Sequence, residues 1–327
     1  MRVLVTGGCG YIGSFTARAL QAAGHQVLVV DDLSEGHRPA WAGELVQLDL
    51  LDAPALDEAL RGRGIQGAVH FAARAYVDES VRQPLRYWRQ NLVPLLNVAE
   101  ALPGVPIVFS STCAVYGEPR SERLAEDHPR EPVNPYGATK AAGERLLCDR
   151  AAGGGGGFAA LRYFNAAGAA EDGAHGEDHR PESHLLPLAI AAAEGRRAEL
   201  VVHGSDWPTE DGTCVRDFVH VEDLAAAHRL ALEHLAGGGP SGAWNLGTGS
   251  GSSVREVLRA VADAVGRPVP FRDGPRRPGD PARLVADASR AARELGWRPV
   301  CSDLASLVQT ALRWHRAHPS GYGPAAP

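Results

Sequence analysis

Residues 3–13, VLVTGGCGYIG, decide the fold class. The apolar start reads as a short strand from Arg2 to Val5. Gly8, Gly10 and Gly13 satisfy G-x-G-x-x-G, and Gly7, Gly10 and Gly13 satisfy G-x-x-G-x-x-G. The residues that follow read as a helix, Tyr11 to Ala23, closed by Gly24. A glycine loop between a strand and a helix lets backbone N–H groups approach a pyrophosphate, whose charge the helix N-terminus favours. A bound dinucleotide is the expectation.

The next segments extend the pattern. Val27 to Val30 reads as a second strand ending at Asp31, 18 residues after Gly13. A carboxylate there can hold both ribose hydroxyls of NAD and repels the 2′-phosphate of NADP. Asp32 follows, and no Arg precedes Arg38 in DDLSEGHR, so NAD is the expected cofactor. Further strands are expected at Leu45 to Leu48, Ala68 to Phe71, Val105 to Phe109 and Phe158 to Tyr163. Helices are expected over Ala53 to Arg61, Pro84 to Leu102 and Tyr136 to Ala151. Strands alternating with helices predict the α/β class, a doubly wound parallel (Rossmann) sheet. From about Ala169 short strands, helices and Gly/Pro-rich loops predict a smaller, mixed α/β C-terminal substrate domain. The expected division is 1–168, completed by about 214–247, for the cofactor, and 169–213 with 248–327 for the substrate. Gly153 to Gly157 reads as a surface loop, and the tail HPSGYGPAAP as frayed.

Composition narrows the function. The chain of 327 residues has a net charge of −6, so it carries no basic footprint for nucleic acid. No apolar run reaches ~18 residues, so no membrane span is expected. Five scattered cysteines form no Cys-x-x-Cys pair, and no metal site is expected. No signal peptide precedes the first strand, and a cytoplasmic location is expected. Among 33 Lys and Arg there is a single lysine, Lys140. It stands four residues after Tyr136, so the two share one helical face. An ammonium beside a phenol lowers the phenol pKa, and the phenolate can take a proton from an alcohol as hydride leaves its carbon. Thr112, 24 residues upstream at a strand end, offers a hydroxyl to the reacting oxygen. Tyr136, Lys140 and Thr112 are the candidate catalytic residues.

In this order and spacing, the glycine loop, Thr112 and Tyr-x-x-x-Lys resemble the extended short-chain dehydrogenase/reductase family, and within it the UDP-glucose 4-epimerases. VHFAA, ESVRQPLRYWRQN, FSSTCAVYG, LRYFNAAGA, HGED, GSDWPTEDGTCVRDFVHVEDLA, NLGTG and RRPGDPARLVAD extend the resemblance over nearly the whole chain. It implies interconversion of UDP-galactose and UDP-glucose through a 4-keto sugar, with NAD reduced and reoxidised in each turnover. Tyr136 would take the proton of the sugar 4-hydroxyl, and Lys140 would tune it. The cofactor would touch Gly7, Gly10, Tyr11, Ile12, Gly13, Asp31, Asp32 and Leu33. Asp49 would meet the adenine amino group, beside Leu50. Phe71, Ala72, Ala73, Arg74, Asn91, Ser110 and Tyr163, with Tyr136 and Lys140, would complete the NAD site. The UDP-sugar would be held by Thr112, Tyr136, Phe164, Asn165, His184 and Leu185. Val201 and His203 would flank the uracil, and Arg216, Arg277 and Asp280 would hold phosphates and ribose. The segments 88–102 and 140–149 match the family's dimer bundle, so a homodimer is expected.

Alternatives remain open. A nucleotide-sugar dehydratase needs an acid and a base after Thr112, where this chain has Cys113 and Ala114. A plain NAD-dependent dehydrogenase would use Tyr136 and Lys140 alike. Epimerases of N-acetylhexosamine or pentose UDP-sugars share these motifs, and Leu284 stands where some relatives narrow the sugar pocket with Tyr. Ser110 and Ser111 are expected to shape the strand end near the nicotinamide. Cys113 reads as a packing residue, not a nucleophile.

Overall fold

The computed structural model describes residues 1–277 and 279–323. The first half builds six strands: β1 (Arg2–Thr6), β2 (Gln26–Asp31), β3 (Glu44–Gln47), β4 (Gly67–His70), β5 (Ile107–Thr112) and β6 (Phe158–Tyr163). The chain then leaves to form β7 (Asn165–Ala167), β8 (Leu200–His203), β9 (Val215–Arg216) and β10 (Phe218–His220), and returns with β11 (Gly242–Leu246). The main sheet is parallel throughout, in the order β11-β6-β5-β4-β1-β2-β3. Strand order reverses between β1 and β4, and ligands of such sheets bind outside the carboxyl ends at that switch point.

Both faces of the sheet are covered, as near-continuous apolar strands require. On one face α1 (Tyr11–Ala22) and the later α7 (Val221–Ala236) bury Ala17, Leu20, Leu224 and Leu232 against Val3, Val5 and Val29. On the other, α2 (Ala53–Leu60), α4 (Pro84–Ala101) and α5 (Pro135–Ala152) bury Leu56, Leu95, Val98 and Leu147 against Leu4, Leu28 and Phe109. A short helix, α3 (Val77–Arg82), precedes α4. A third core joins α6 (Leu185–Ala193), α8 (Val254–Val265) and α10 (Leu304–Ala317) around Ile190, Val261 and Val308. The remaining elements are β12 (Ser252–Ser253), β13 (Phe271–Gly274), β14 (Arg283–Leu284) and α9 (Ser289–Glu294). Sheets β12-β9-β14 and β13-β8 belong to this smaller region.

Two local readings change. The strand expected to stop at Phe109 runs on to Thr112, because Ser110, Ser111 and Thr112 keep the ladder with Leu161, Arg162 and Tyr163. The tail expected to fray is packed as far as Gly323; residues 324–327 lie outside the described residues. Tyr322 Oη meets His175 Nδ1 at 2.5 Å and donates to the Gly176 carbonyl at 3.1 Å, while its ring packs on Trp314.

Candidate active site

A cavity of about 620 Å³ opens at the carboxyl ends of the strands and reaches into the smaller region. One wall is the glycine loop. Gly7 has φ 68°, and a Cβ there would lie 2.7 Å from the Ala72 amide nitrogen. A Cβ on Gly13 would lie 2.2 Å from the Gly7 carbonyl oxygen, so the loop packs through bare backbone. Gly10 differs: a Cβ there would meet only the Gly7 oxygen, at 3.4 Å, leaving room on the cavity side. Gly10 is also the N-cap of α1 and has no side-chain cap, so the first amides of α1 are left for another acceptor.

Asp31 ends β2 beside this loop. Its Oδ2 accepts from the Cys9 amide at 2.9 Å and its Oδ1 from the Leu33 amide at 2.8 Å. Each oxygen keeps lone-pair capacity toward the cavity that it lines. Burial pushes its carboxyl up, and these two amides act against that. The uncapped helix, the unfilled Gly10 side and the Asp31 carboxylate fit a pyrophosphate and a ribose diol, hence NAD.

The reactive wall comes from β5 and α5. Asn134 caps α5 by accepting from the Gly137 amide at 2.8 Å, and Pro135 fills the first helical position. Tyr136 and Lys140 therefore leave the first turns of α5 on one side, toward the end of β5. Lys140 is 3% exposed. Its Nζ donates to the Ser110 carbonyl at 2.7 Å and lies 4.9 Å from the Phe109 ring centroid. No carboxylate lies within ion-pair distance of it among the described residues, and burial pulls it down to about 7. The Tyr136 phenol is pushed up to about 12 by burial, opposed by a hydrogen bond from Thr112. In the folded chain the Lys140 ammonium group is held by the Ser110 carbonyl at the end of β5.

Alternation along β5 separates its hydroxyls. Ser110 and Thr112 line the cavity, and the Ser110 hydroxyl meets the Tyr163 phenol. Ser111 faces the other way. It donates to Glu144 at 2.5 Å, and Glu144 holds Arg162 at 2.6 Å in a buried pair. Of the two serines expected to shape this strand end, Ser111 thus does so from the side away from the cavity. Burial raises the Cys113 thiol to about 11, which suits packing and not nucleophilic attack.

Most candidates line one cavity. They include Gly7, Gly10, Tyr11, Ile12, Gly13, Asp31, Asp32, Asp49, Leu50 and Phe71 to Arg74. Ser110, Thr112, Tyr136, Lys140, Tyr163, Phe164, Asn165, His184, Arg216, Arg277 and Asp280 complete the set. Five candidates do not line it. Leu33 gives only its amide to Asp31, and its side chain packs on the main core. Asn91 lies behind the wall, donating to the Arg74 carbonyl at 3.1 Å and to Thr139 at 3.0 Å. Leu185 opens α6 and packs into the third core. Val201 and His203 lie on β8, whose partner is β13, whereas Arg216 and Leu284 reach the cavity from the separate sheet of β9 and β14. The Arg74 guanidinium is turned to Glu35 at 2.8 Å.

Glu177 and His179 also line the cavity and were missed from the sequence. They sit on a strap between β7 and α6. His37 Nε2 donates to the Asp178 carbonyl at 2.9 Å, and Trp314 Nε1 to the Glu177 carbonyl at 2.8 Å. The spacing E-x-H-x-x-E-x-H in residues 177–184 was the available signal.

A profile of the NAD dependent epimerase/dehydratase family matches residues 3–247. The chain belongs to this family. It is 44% identical to UDP-glucose 4-epimerase of Lacticaseibacillus casei, over 99% of each chain. Among solved structures it resembles UDP-glucose 4-epimerase from Brucella ovis in complex with NAD: TM-score 0.92, 45% identity, covering 95% of this chain and 97% of that one. It also resembles UDP-glucose 4-epimerase from Bifidobacterium longum in complex with NAD+ and UDP, with TM-score 0.92 and 35% identity over 98% and 100% of the two chains.

Proposed function

We infer that this protein is an NAD-dependent epimerase interconverting UDP-galactose and UDP-glucose at C4. The observation that carries this reading is the meeting of Tyr136, Lys140 and Thr112 with the glycine loop around one cavity. Full-length relatives bearing that activity support it. Bound NAD supplies the hydride acceptor and donor at C4 and, when oxidised, a positive ring charge near the phenol. Tyr136 Oη removes the proton of the 4-hydroxyl and returns it after the keto sugar has presented its other face. Thr112 Oγ1 holds the sugar oxygen in line with Tyr136. Lys140 fixes the strand end through Ser110 and adds positive charge that favours the phenolate. Arg216, braced by Asp280 at 3.4 Å, and Arg277 hold the diphosphate and ribose of the UDP-sugar. The direct test is to incubate the pure protein with UDP-galactose, without added NAD, and assay UDP-glucose. Absence of product from protein that carries NAD would overturn the reading.

A second substrate class is favoured by Leu284, which lines the cavity with a side chain of moderate size. We propose that UDP-N-acetylhexosamines are also turned over; no detectable conversion of UDP-GalNAc would sink this. We further propose a homodimer through α4. Leu85 is 81% exposed, and Trp88 and Leu96 lie exposed farther along the same helix. Light scattering that gave a monomer for the intact chain would exclude it. With five free cysteines and no disulfide, a reducing cytoplasm suits the chain.

A further inference from the structure

The strap that crosses the cavity carries a second constellation. Glu177, His179, Glu182 and His184 each bring one ligand-capable atom to a common point, all within 4.8 Å of one another. His184 Nδ1 lies 2.7 Å from Glu177 Oε1 and 3.1 Å from Glu182 Oε1. His179 Nδ1 lies 3.0 Å from Glu177 Oε1 and 3.8 Å from Glu182 Oε2. Metal–nitrogen and metal–oxygen bonds of about 2.0–2.2 Å in a tetrahedron place neighbouring donors about 3.3–3.6 Å apart. Three of the four separations are shorter than that and the fourth, through the other Glu182 oxygen, is longer, so a small spreading of the cluster admits an ion.

We propose that Glu177, His179, Glu182 and His184 bind a divalent transition-metal cation, with zinc the best match. Two imidazoles and two carboxylates form a mixed nitrogen and oxygen set, which suits zinc better than calcium or magnesium. Neither carboxylate has an arginine partner among the described residues, although the chain is rich in arginine; their side-chain partners are the two histidines. A separate feature points to the same place. The Tyr76 hydroxyl is buried without a hydrogen-bond partner among the described residues, and its ring centroid is 6.3 Å from that of His179.

Four protein donors close the coordination sphere, so the ion staples the strap and takes no part in the chemistry. All four ligands lie within eight consecutive residues, and Glu177, His179 and His184 reach the cavity wall. The ion therefore orders the wall facing Tyr11, whose ring centroid is 6.2 Å from that of His179. This proposal stands whether or not the chain epimerises UDP-sugars.

The test is metal content and metal-dependent stability of the full chain. Protein stripped with a chelator and titrated with zinc is expected to take up one equivalent and to melt several degrees higher. Cobalt(II) in place of zinc is expected to give the intense visible bands of a tetrahedral site. Glu182→Gln and His179→Gln are expected to weaken zinc uptake at least tenfold while keeping the wild-type circular dichroism. Wild-type protein that takes up no zinc, or shows octahedral cobalt bands, overturns the proposal. So does uptake that folded Glu182→Gln and folded His179→Gln both retain.

Discussion

Along one wall of the cavity Gly7, Gly10 and Gly13 present backbone; along the other Arg216, Arg277 and Asp280 present charged side chains. The backbone wall works by the absence of atoms. A methyl group at Gly13 would stand 2.2 Å from a main-chain oxygen that cannot swing away. The charged wall works by the presence of atoms, and Arg277 is exposed with freedom to adjust. One wall should fail abruptly and the other gradually, and Tyr136 sits between them.

The largest effect is expected where the walls meet. Tyr136→Phe should lower UDP-galactose turnover by ~10²–10⁴, the usual contribution of a positioned acid–base group. NAD co-purifying with the variant should stay at the wild-type level; full activity would remove Tyr136 from its role. Gly13→Ala should break the backbone wall: the stability loss should be ~1–3 kcal/mol by overpacking, and NAD should no longer co-purify. Thermal melts and nucleotide content after denaturation measure both. On the other wall Arg277→Ala should raise KM for the UDP-sugar ~10-fold, about the weight of one lost charged hydrogen bond, with NAD content and Tm unchanged. Were Gly13→Ala to keep its NAD, or Arg277→Ala to lose it, the contrast would collapse.

The same contrast explains what the sequence could disclose. The glycine loop and the Tyr136–Lys140 pair were legible because each is local: one turn of chain sets the spacing. The end of β5 was read too short because Ser110, Ser111 and Thr112 look like a polar loop. Only the cross-strand partners on β6, and Glu144 reaching Ser111 from α5, keep those hydroxyls in a strand. Six charged and short residues, VDESVR, gave no period from which to read α3. Asn91 was assigned to the cofactor although its amide is consumed behind the wall by Arg74 and Thr139. The strap is the extreme case. His37, Trp314 and Tyr322 hold it, from 141, 137 and 144 residues away in the chain.

The smallest effect sharpens the comparison from behind the backbone wall, where burial silences charge. His228 is fully buried, its ring centroid 4.6 Å from that of Phe71 and 5.8 Å from that of Tyr163. Its Nδ1 donates to the Leu224 carbonyl at 2.8 Å, Nε2 has no partner among the described residues, and burial lowers it to about 4. The folded chain therefore refuses a proton that the unfolded chain accepts below about 6.5. Above that pH both states are neutral and the group costs nothing. As pH falls from about 6.5 toward about 4, its protonation favours unfolding, with a limiting slope of ~1.4 kcal/mol per pH unit. His228→Gln lacks this titration. Urea melts of the variant should lose ~1 kcal/mol less than wild type over the first pH unit below 6.5. Equal losses would mean that His228 takes up a proton in the fold as readily as in the unfolded chain, and that the wall behind the cofactor tolerates charge as the arginine wall does.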